Sequence, residues 1–172
     1  MRERGTRGDT ARHNIAPVYD GNSRVLILGS FPSVASRASG FFYGHPQNRF
    51  WRVMAALLGA DVPQTVEEKR AFLLANHIAL WDVIASCDIA GSSDASIRNA
   101  VPNDLMPILE TACIRQIFTN GGTAHRLYRK YIYPLTGRED AGLPSTSPAN
   151  AARSLDALIN AWQTVREALE TE

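Results

Sequence analysis

Two cysteines, Cys87 and Cys113, are all the chain contains. That is too few for a disulfide scaffold or a four-thiolate iron–sulfur cluster. No His and Cys pair falls at zinc-ligand spacing. The expectation is a reduced, cytosolic protein with no metal and no cofactor. Lysine is equally scarce, with only Lys69 and Lys130. Both lie in polar, helix-like stretches rather than apolar pockets, which argues against Schiff-base chemistry. No run of about 18 apolar residues occurs, so no membrane-spanning helix is expected. The opening MRERGTRGDTARHN has no apolar segment and does not read as a secretory signal. A phosphate-binding loop would need a Gly-Lys-Ser/Thr ending, and a serine hydrolase a Gly-x-Ser-x-Gly elbow. Neither is present.

What is there suits one globular domain: 172 residues, 45% hydrophobic and 20% charged. The net charge of +1 conceals an asymmetry. Residues 1–54 carry eight arginines (2, 4, 7, 12, 24, 37, 49 and 52) against Glu3, Asp9 and Asp20. A basic first third is compatible with a polyanionic partner. Residues 1–15 read as a mobile polar arm, and 16–172 as the folded domain.

Arg24–Gly29 is a short apolar run ending in glycine, the signature of a buried parallel strand. A loop follows at 30–33, and 34–46 reads as irregular. Asn48–Leu58 reads as a helix with Phe50, Val53, Met54 and Leu57 on one face. Thr65-Val-Glu-Glu68 is a capping box opening a helix over 65–75. Ile78–Ile84 reads as a second buried strand. Residues 86–103, rich in Ser, Asp, Gly and Asn, read as a long functional or mobile loop. Asn103 is a candidate N-cap for a helix to Ala112. Ile114–Thr119 reads as a third strand, Ala124–Tyr133 as a helix and 139–144 as a fourth strand. Ala151–Leu169 reads as one amphipathic helix with Leu155, Leu158, Ile159, Trp162 and Val165 toward the core. Alternating strands and helices imply an α/β fold, a three-layer α/β/α arrangement with a central, mostly parallel four-stranded sheet. Ligands bind beyond the carboxyl ends of such strands, which points to loops 29–33, 120–122 and 144–150.

Three segments in this order resemble the uracil-DNA glycosylase superfamily: Gly29-Ser-Phe-Pro-Ser33, Gly40-Phe-Phe-Tyr-Gly-His-Pro-Gln-Asn-Arg-Phe-Trp51 and Leu143-Pro-Ser-Thr-Ser-Pro-Ala-Asn150. The first is similar to the water-activating loop. The second is similar to the His-Pro-x-Asn-Arg-Phe-Trp segment of mismatch-specific uracil and thymine glycosylases, and is the specific one. The third is similar to the loop that enters the minor groove. The first loop departs from the family pattern. Where relatives carry the Asp or Asn that orients water, this chain has Phe31. With Tyr-Gly-His-Pro-x-Asn and a later Asn-Gly, that departure most resembles the hypoxanthine-DNA glycosylase branch. The resemblance implies DNA carrying a deaminated base as partner, and the expectation is a cytoplasmic, nucleoid-associated monomer.

Excising a base requires flipping the nucleotide out, stacking and hydrogen-bonding the base, and holding a water near C1′. The resemblance makes Phe42 and Tyr43 candidates for stacking, with Tyr43 preferred, although a Phe-Phe-Tyr cluster also suits plain packing. Phe31 belongs to the same base pocket. Asn48 can accept a hydrogen bond from water in place of the missing residue, and equally can cap the helix that follows it. Asn120 can read a base edge or hold water, and equally can favour the Asn-Gly-Gly turn. His45 can donate to a base carbonyl or order its loop. Asp82 is either a base or a satisfied core polar group. Ser145 and Ser147 are expected near the base. Ser30, Ser33 and Thr146 suit phosphate contacts. Pro148, Ala149 and Asn150 occupy the wedge position without a large apolar side chain.

The reading is a monofunctional glycosylase excising hypoxanthine. Hypoxanthine offers a carbonyl and an N–H that amides can recognise, whereas adenine leaves such partners unpaired. The alternatives are a uracil or thymine mismatch glycosylase and a non-catalytic DNA-binding module.

Overall fold

A computed structural model describes residues 9–13 and 15–171. The chain runs β1 (Asp9–Arg12), β2 (Val25–Gly29), α1 (Val34–Ser39), α2 (Phe50–Leu58), α3 (Val66–Ala75), β3 (Ile78–Asp82) and β4 (Ile84–Ile89). It continues through β5 (Arg98–Pro102), α4 (Met106–Thr111), β6 (Gln116–Asn120), α5 (Gly122–Leu127) and α6 (Tyr133–Thr136). β7 (Asp140–Leu143), α7 (Leu155–Ala161) and α8 (Gln163–Glu170) complete it.

Strands β3-β2-β6-β7 form one sheet, parallel throughout. This is the expected four-stranded core. Every residue of β2 is buried, as a central strand covered on both faces must be. Its alternation divides the interior in two. Val25 and Ile27 pack with Phe50, Val53, Met54 and Leu57 of α2, Leu73 of α3, and Leu158, Trp162 and Val165. Leu26 and Leu28 pack on the opposite face with Ile108 of α4, Leu127 of α5, Cys87 and Ile89. The capping box holds α3 as expected: Thr65 accepts from the Glu68 N–H at 3.0 Å, and Glu68 reaches back to the Thr65 N–H.

Five expectations are corrected. Residues 34–46 are not wholly irregular. Val34–Ser39 is helical, because Ser33 caps its start and Gly40, at φ +74°, ends it. Residues 86–103 are not a long loop. β4 and β5 form an antiparallel pair interrupted by register shifts, joined by a 3-10 turn at Asp94–Ser96. Part of the supposed arm is structured too, since Asp9–Arg12 pairs with β4 to give the small sheet β1-β4-β5. Of the rest of that arm, His13 and Ile15 are described, and Met1–Gly8 and Asn14 lie outside the described residues. Asn103 does not cap α4. Its amide donates to the Asp82 carbonyl at 2.9 Å, and Asp104 accepts from the Met106 N–H instead. Finally, the C-terminal helix is two. α7 starts at Leu155 under a Ser154 cap, and the path breaks at Trp162, whose indole N–H donates to the Pro144 carbonyl at 2.9 Å. Its core side is as expected.

Candidate active site

Four parallel strands finish at one edge, and their last residues are Gly29, Asp82, Asn120 and Leu143. Gly29 pairs in register with Asp82, and Asn120 with Leu143. A cavity of about 310 Å3 opens there. The loops following these strands and the segment before α2 enclose it, which is where an α/β sheet places its ligand.

One wall is neutral, and its polar groups hydrogen-bond to one another. Thr146, wholly buried, accepts from the Asn120 amide at 3.0 Å and donates its hydroxyl proton to the Asn48 carbonyl oxygen at 2.9 Å. The Thr146 backbone N–H donates to the Asn120 oxygen at 3.0 Å. The Asn48 oxygen also accepts from the Phe50 N–H at 3.0 Å, at the start of α2. Three residues from distant segments thus form one chain that fixes the loop after β7 against β6 and α2. Asn120 faces the cavity as anticipated. Asn48 does not. The oxygen expected to meet water is occupied by two protein donors, and its helix-start role is the one observed. Thr146 is likewise no phosphate contact, because its hydroxyl is consumed inside.

The opposite wall is ionisable and incompletely bonded. Asp82 is 4% exposed, and one of its carboxylate oxygens has no partner among the described residues. Burial first, then the nearby charge of Asp94, raises its pKa to about 8. The Tyr43 hydroxyl is buried beside it with no completed hydrogen bond, although the Asn120 amide lies near. Burial and Asp82 push that hydroxyl above its ordinary range. Gly29 lets these groups converge. A Cβ there would lie 2.5 Å from Asp82 Oδ1 and 3.2 Å from the Tyr43 hydroxyl. Asp94 lines the cavity and accepts from the Ser30 hydroxyl at 2.8 Å, and burial raises its pKa too. Ser30 is therefore a buried partner of an acid rather than a phosphate contact.

Aromatic rings supply the apolar surface. Phe31 lines the cavity while its ring is wedged between His13, at 5.3 Å, and the Arg37 guanidinium, at 5.2 Å. Phe42 is buried against Phe41, and Tyr43 stacks on Phe50 at 4.2 Å; both line the cavity. Tyr43 holds φ at +52°, an uncommon conformation for a bulky residue that turns its ring into the site. His45 lines the cavity and accepts from the Gln47 N–H at 3.1 Å, so its loop-ordering role is visible.

At the mouth, Ser145 accepts from the Ser147 N–H and Ser147 from the Ala149 N–H, which curls Pro148–Asn150 into a 3-10 turn. Ser145, Ser147, Pro148 and Ala149 line the cavity. Asn150 does not, and its amide holds the Ser145 carbonyl. Ser33 lines it while capping α1. Ser92 and Asp94 come from the β4–β5 tip, a segment the sequence reading treated as a loop. Its length and polarity were the only signal for them.

The family profile of the uracil DNA glycosylase superfamily matches residues 16–166. A protein named hypoxanthine DNA glycosylase from Methanosarcina barkeri (strain Fusaro / DSM 804) is 31% identical over 152 residues, 88% of this chain and 95% of that one. One of the same name from Methanosarcina acetivorans is 36% identical over 135 residues, 77% of this chain and 84% of that one. A solution NMR structure from Methanosarcina acetivorans, provisionally described as a uracil DNA glycosylase, superimposes with a TM-score of 0.79 at 33% identity. It covers 93% of this chain and 99% of that one.

Proposed function

The chain belongs to the uracil DNA glycosylase superfamily, and from that premise we propose that it is a monofunctional DNA glycosylase excising a deaminated base, foremost hypoxanthine, from DNA. The observation that carries this reading is the cavity at the strand ends, where Asp82 and Asn120 at the ends of β3 and β6 meet aromatic groups from the loop after β2 and the segment before α2. Its volume is at the lower end of ligand pockets, which run roughly 300–1,000 Å3. That suits one flipped nucleoside.

The chemistry follows from what faces the cavity. A base can stack on the aromatic surface that Phe42 and Tyr43 give the cavity, and the remaining Asn120 amide hydrogen can meet its carbonyl. Phe31 supplies no acceptor for water. The enzyme therefore relies on departure of the base, with charge on the leaving group relieved by hydrogen bonds. Water then adds to the oxocarbenium carbon at C1′. Asn48 acts through Thr146 as a positioning residue that keeps the wall rigid. Ser145, Ser147 and the turn Pro148–Asn150 sit at the mouth, where the backbone of a bound strand would pass. The names of the two relatives and the phenyl ring at position 31 favour hypoxanthine over uracil.

Single-turnover cleavage of labelled duplexes carrying one hypoxanthine, uracil or xanthine, with alkali revealing abasic sites, tests this. Hypoxanthine excised fastest is the expected result. Uracil alone would move the chain to the mismatch group. Binding without excision of any of the three would leave a non-catalytic module. A borohydride-trapped protein–DNA adduct would overturn the monofunctional reading.

A further inference from the structure

Asp82 is a buried, cavity-lining acid with no role in the chemistry so far. It ends β3 and lines the cavity, and its buried Oδ2 has no hydrogen-bond partner among the described residues. A buried polar atom without a partner is costly, and on a side chain that lines a cavity a small rotation lets an entering group satisfy it. The surroundings favour the neutral acid. Among the described residues no cation pairs with the carboxyl. The charged and titratable groups facing it are Asp94 from the β4–β5 tip, Tyr43 from the segment before α2, and His45 across the cavity. Arg126 of α5 acts on Asp94 instead. The backbone around Asp82 is fixed by the Asn103 amide on its carbonyl, and by the Val83 and Ile84 N–H groups on the Gly29 and Ser30 carbonyls.

We propose that Asp82 is the general acid of the reaction, holding its proton in the free enzyme and passing it to a ring nitrogen of the departing base. This rests on the glycosylase reading. As the bond from C1′ to the base breaks, its electron pair goes to the base, and the Asp82 proton goes to a ring nitrogen such as N7 of a purine. The base leaves neutral. Water adds to C1′ and loses a proton to solvent, while the Asp82 carboxylate regains one from solvent. No oxidant, metal or further reactant is needed. General acids of this kind contribute roughly 10²–10⁴-fold.

The test is single-turnover excision of hypoxanthine by the full chain between pH 5 and pH 9.5, for the wild type, Asp82→Asn and Asp94→Asn. The wild-type rate is expected to fall with rising pH in a limb near pH 8, the region to which burial raises the carboxyl. Asp82→Asn should be slower by about 100-fold or more at pH 7 and lose that limb. Asp94→Asn should move the limb to lower pH, since removing its charge eases ionisation of Asp82. Thermal melting and binding to a duplex carrying a non-cleavable 2′-fluoro hypoxanthine nucleotide establish that each variant folds and docks. Asp82→Asn within about threefold of the wild type, or slow but with the limb intact, overturns the proposal. A wild type that excises none of hypoxanthine, uracil and xanthine at any pH overturns both this and the glycosylase reading. Excision unaffected by Asp82→Asn overturns this one alone.

Discussion

The two walls of the cavity are built on opposite principles. The wall of Thr146 and Asn120, backed by Asn48, is neutral, and its oxygens and the Thr146 hydroxyl are all engaged within it. The wall of Asp82, Tyr43 and Gly29 carries an ionisable acid and a hydroxyl, each with an atom left unpaired. Both are buried, so polarity alone does not separate them. What separates them is satisfaction. A closed network rigidifies the loops it joins. An open set of donors and acceptors is a cost that a bound base can relieve. Stability is therefore expected to come from the first wall and to be withheld by the second.

The strongest way to break this comparison is to titrate the open wall. The Asp82 carboxyl rises from 3.8 to about 8 on folding. The unfolded chain then releases the proton first as pH rises. The carboxyl leaves the folded state undiminished below pH 3.8 and erodes it progressively up to about pH 8. The slope approaches about 1.4 kcal/mol per pH unit at most. Asp82→Asn removes the liability. Its melting temperature should exceed that of the wild type at pH 8, and the excess should shrink toward pH 4. Equal slopes for the two proteins would mean that Asp82 has an ionised, satisfied environment, and the two walls would not differ.

Cutting the closed wall should act in the other direction. Thr146→Val keeps the shape but removes one acceptor and one donor, leaving the Asn120 amide and the Asn48 oxygen short of partners. A loss of about 3 kcal/mol in denaturant unfolding is expected. Excision should fall roughly 100-fold as the loop after β7 loses its register. Asn48→Ala also opens the chain and strips an acceptor from the first N–H of α2. Its cost should be smaller, about 1–2 kcal/mol. If Asn48→Ala abolished excision at unchanged stability, Asn48 would touch the reacting water after all.

The closed wall and the open wall were not equally legible in the sequence. Val25–Gly29, the helix ending at Leu58 and the box at Thr65–Glu68 each obey local rules, so periodicity and capping found them. Asn48, Asn120 and Asp82 each stand out in the sequence as polar residues near strand or helix ends. Their division of labour was not visible, because it depends on Thr146, which is 98 positions from Asn48. Asp82 followed an apolar run, but an acid at a strand end faces solvent as readily as a cavity. The β4–β5 hairpin escaped notice because register shifts break its alternation and its partner β1 lay in polar sequence. With it went Asp94, whose charge helps keep Asp82 neutral.

The smallest effect is the most direct comparison of the walls. Tyr43→Phe deletes a buried hydroxyl that has no completed hydrogen bond, and keeps the ring stacked on Phe50 at 4.2 Å. A hydroxyl in the closed wall would cost stability when removed. Here stability should stay level or rise by up to about 1 kcal/mol, since folding no longer strips water from an unpaired group. Excision of hypoxanthine should nevertheless slow, because the hydroxyl lies at the floor with Asp82 over Gly29, where an incoming base would complete its hydrogen bond. Chemical unfolding and single-turnover rates on the same preparations separate the two effects. A variant both less stable and slower would place Tyr43 in the closed network through the Asn120 amide beside it. A more stable variant with an unchanged rate would make the hydroxyl a pure liability, and would leave Asp82 as the sole polar group of the open wall that meets the base.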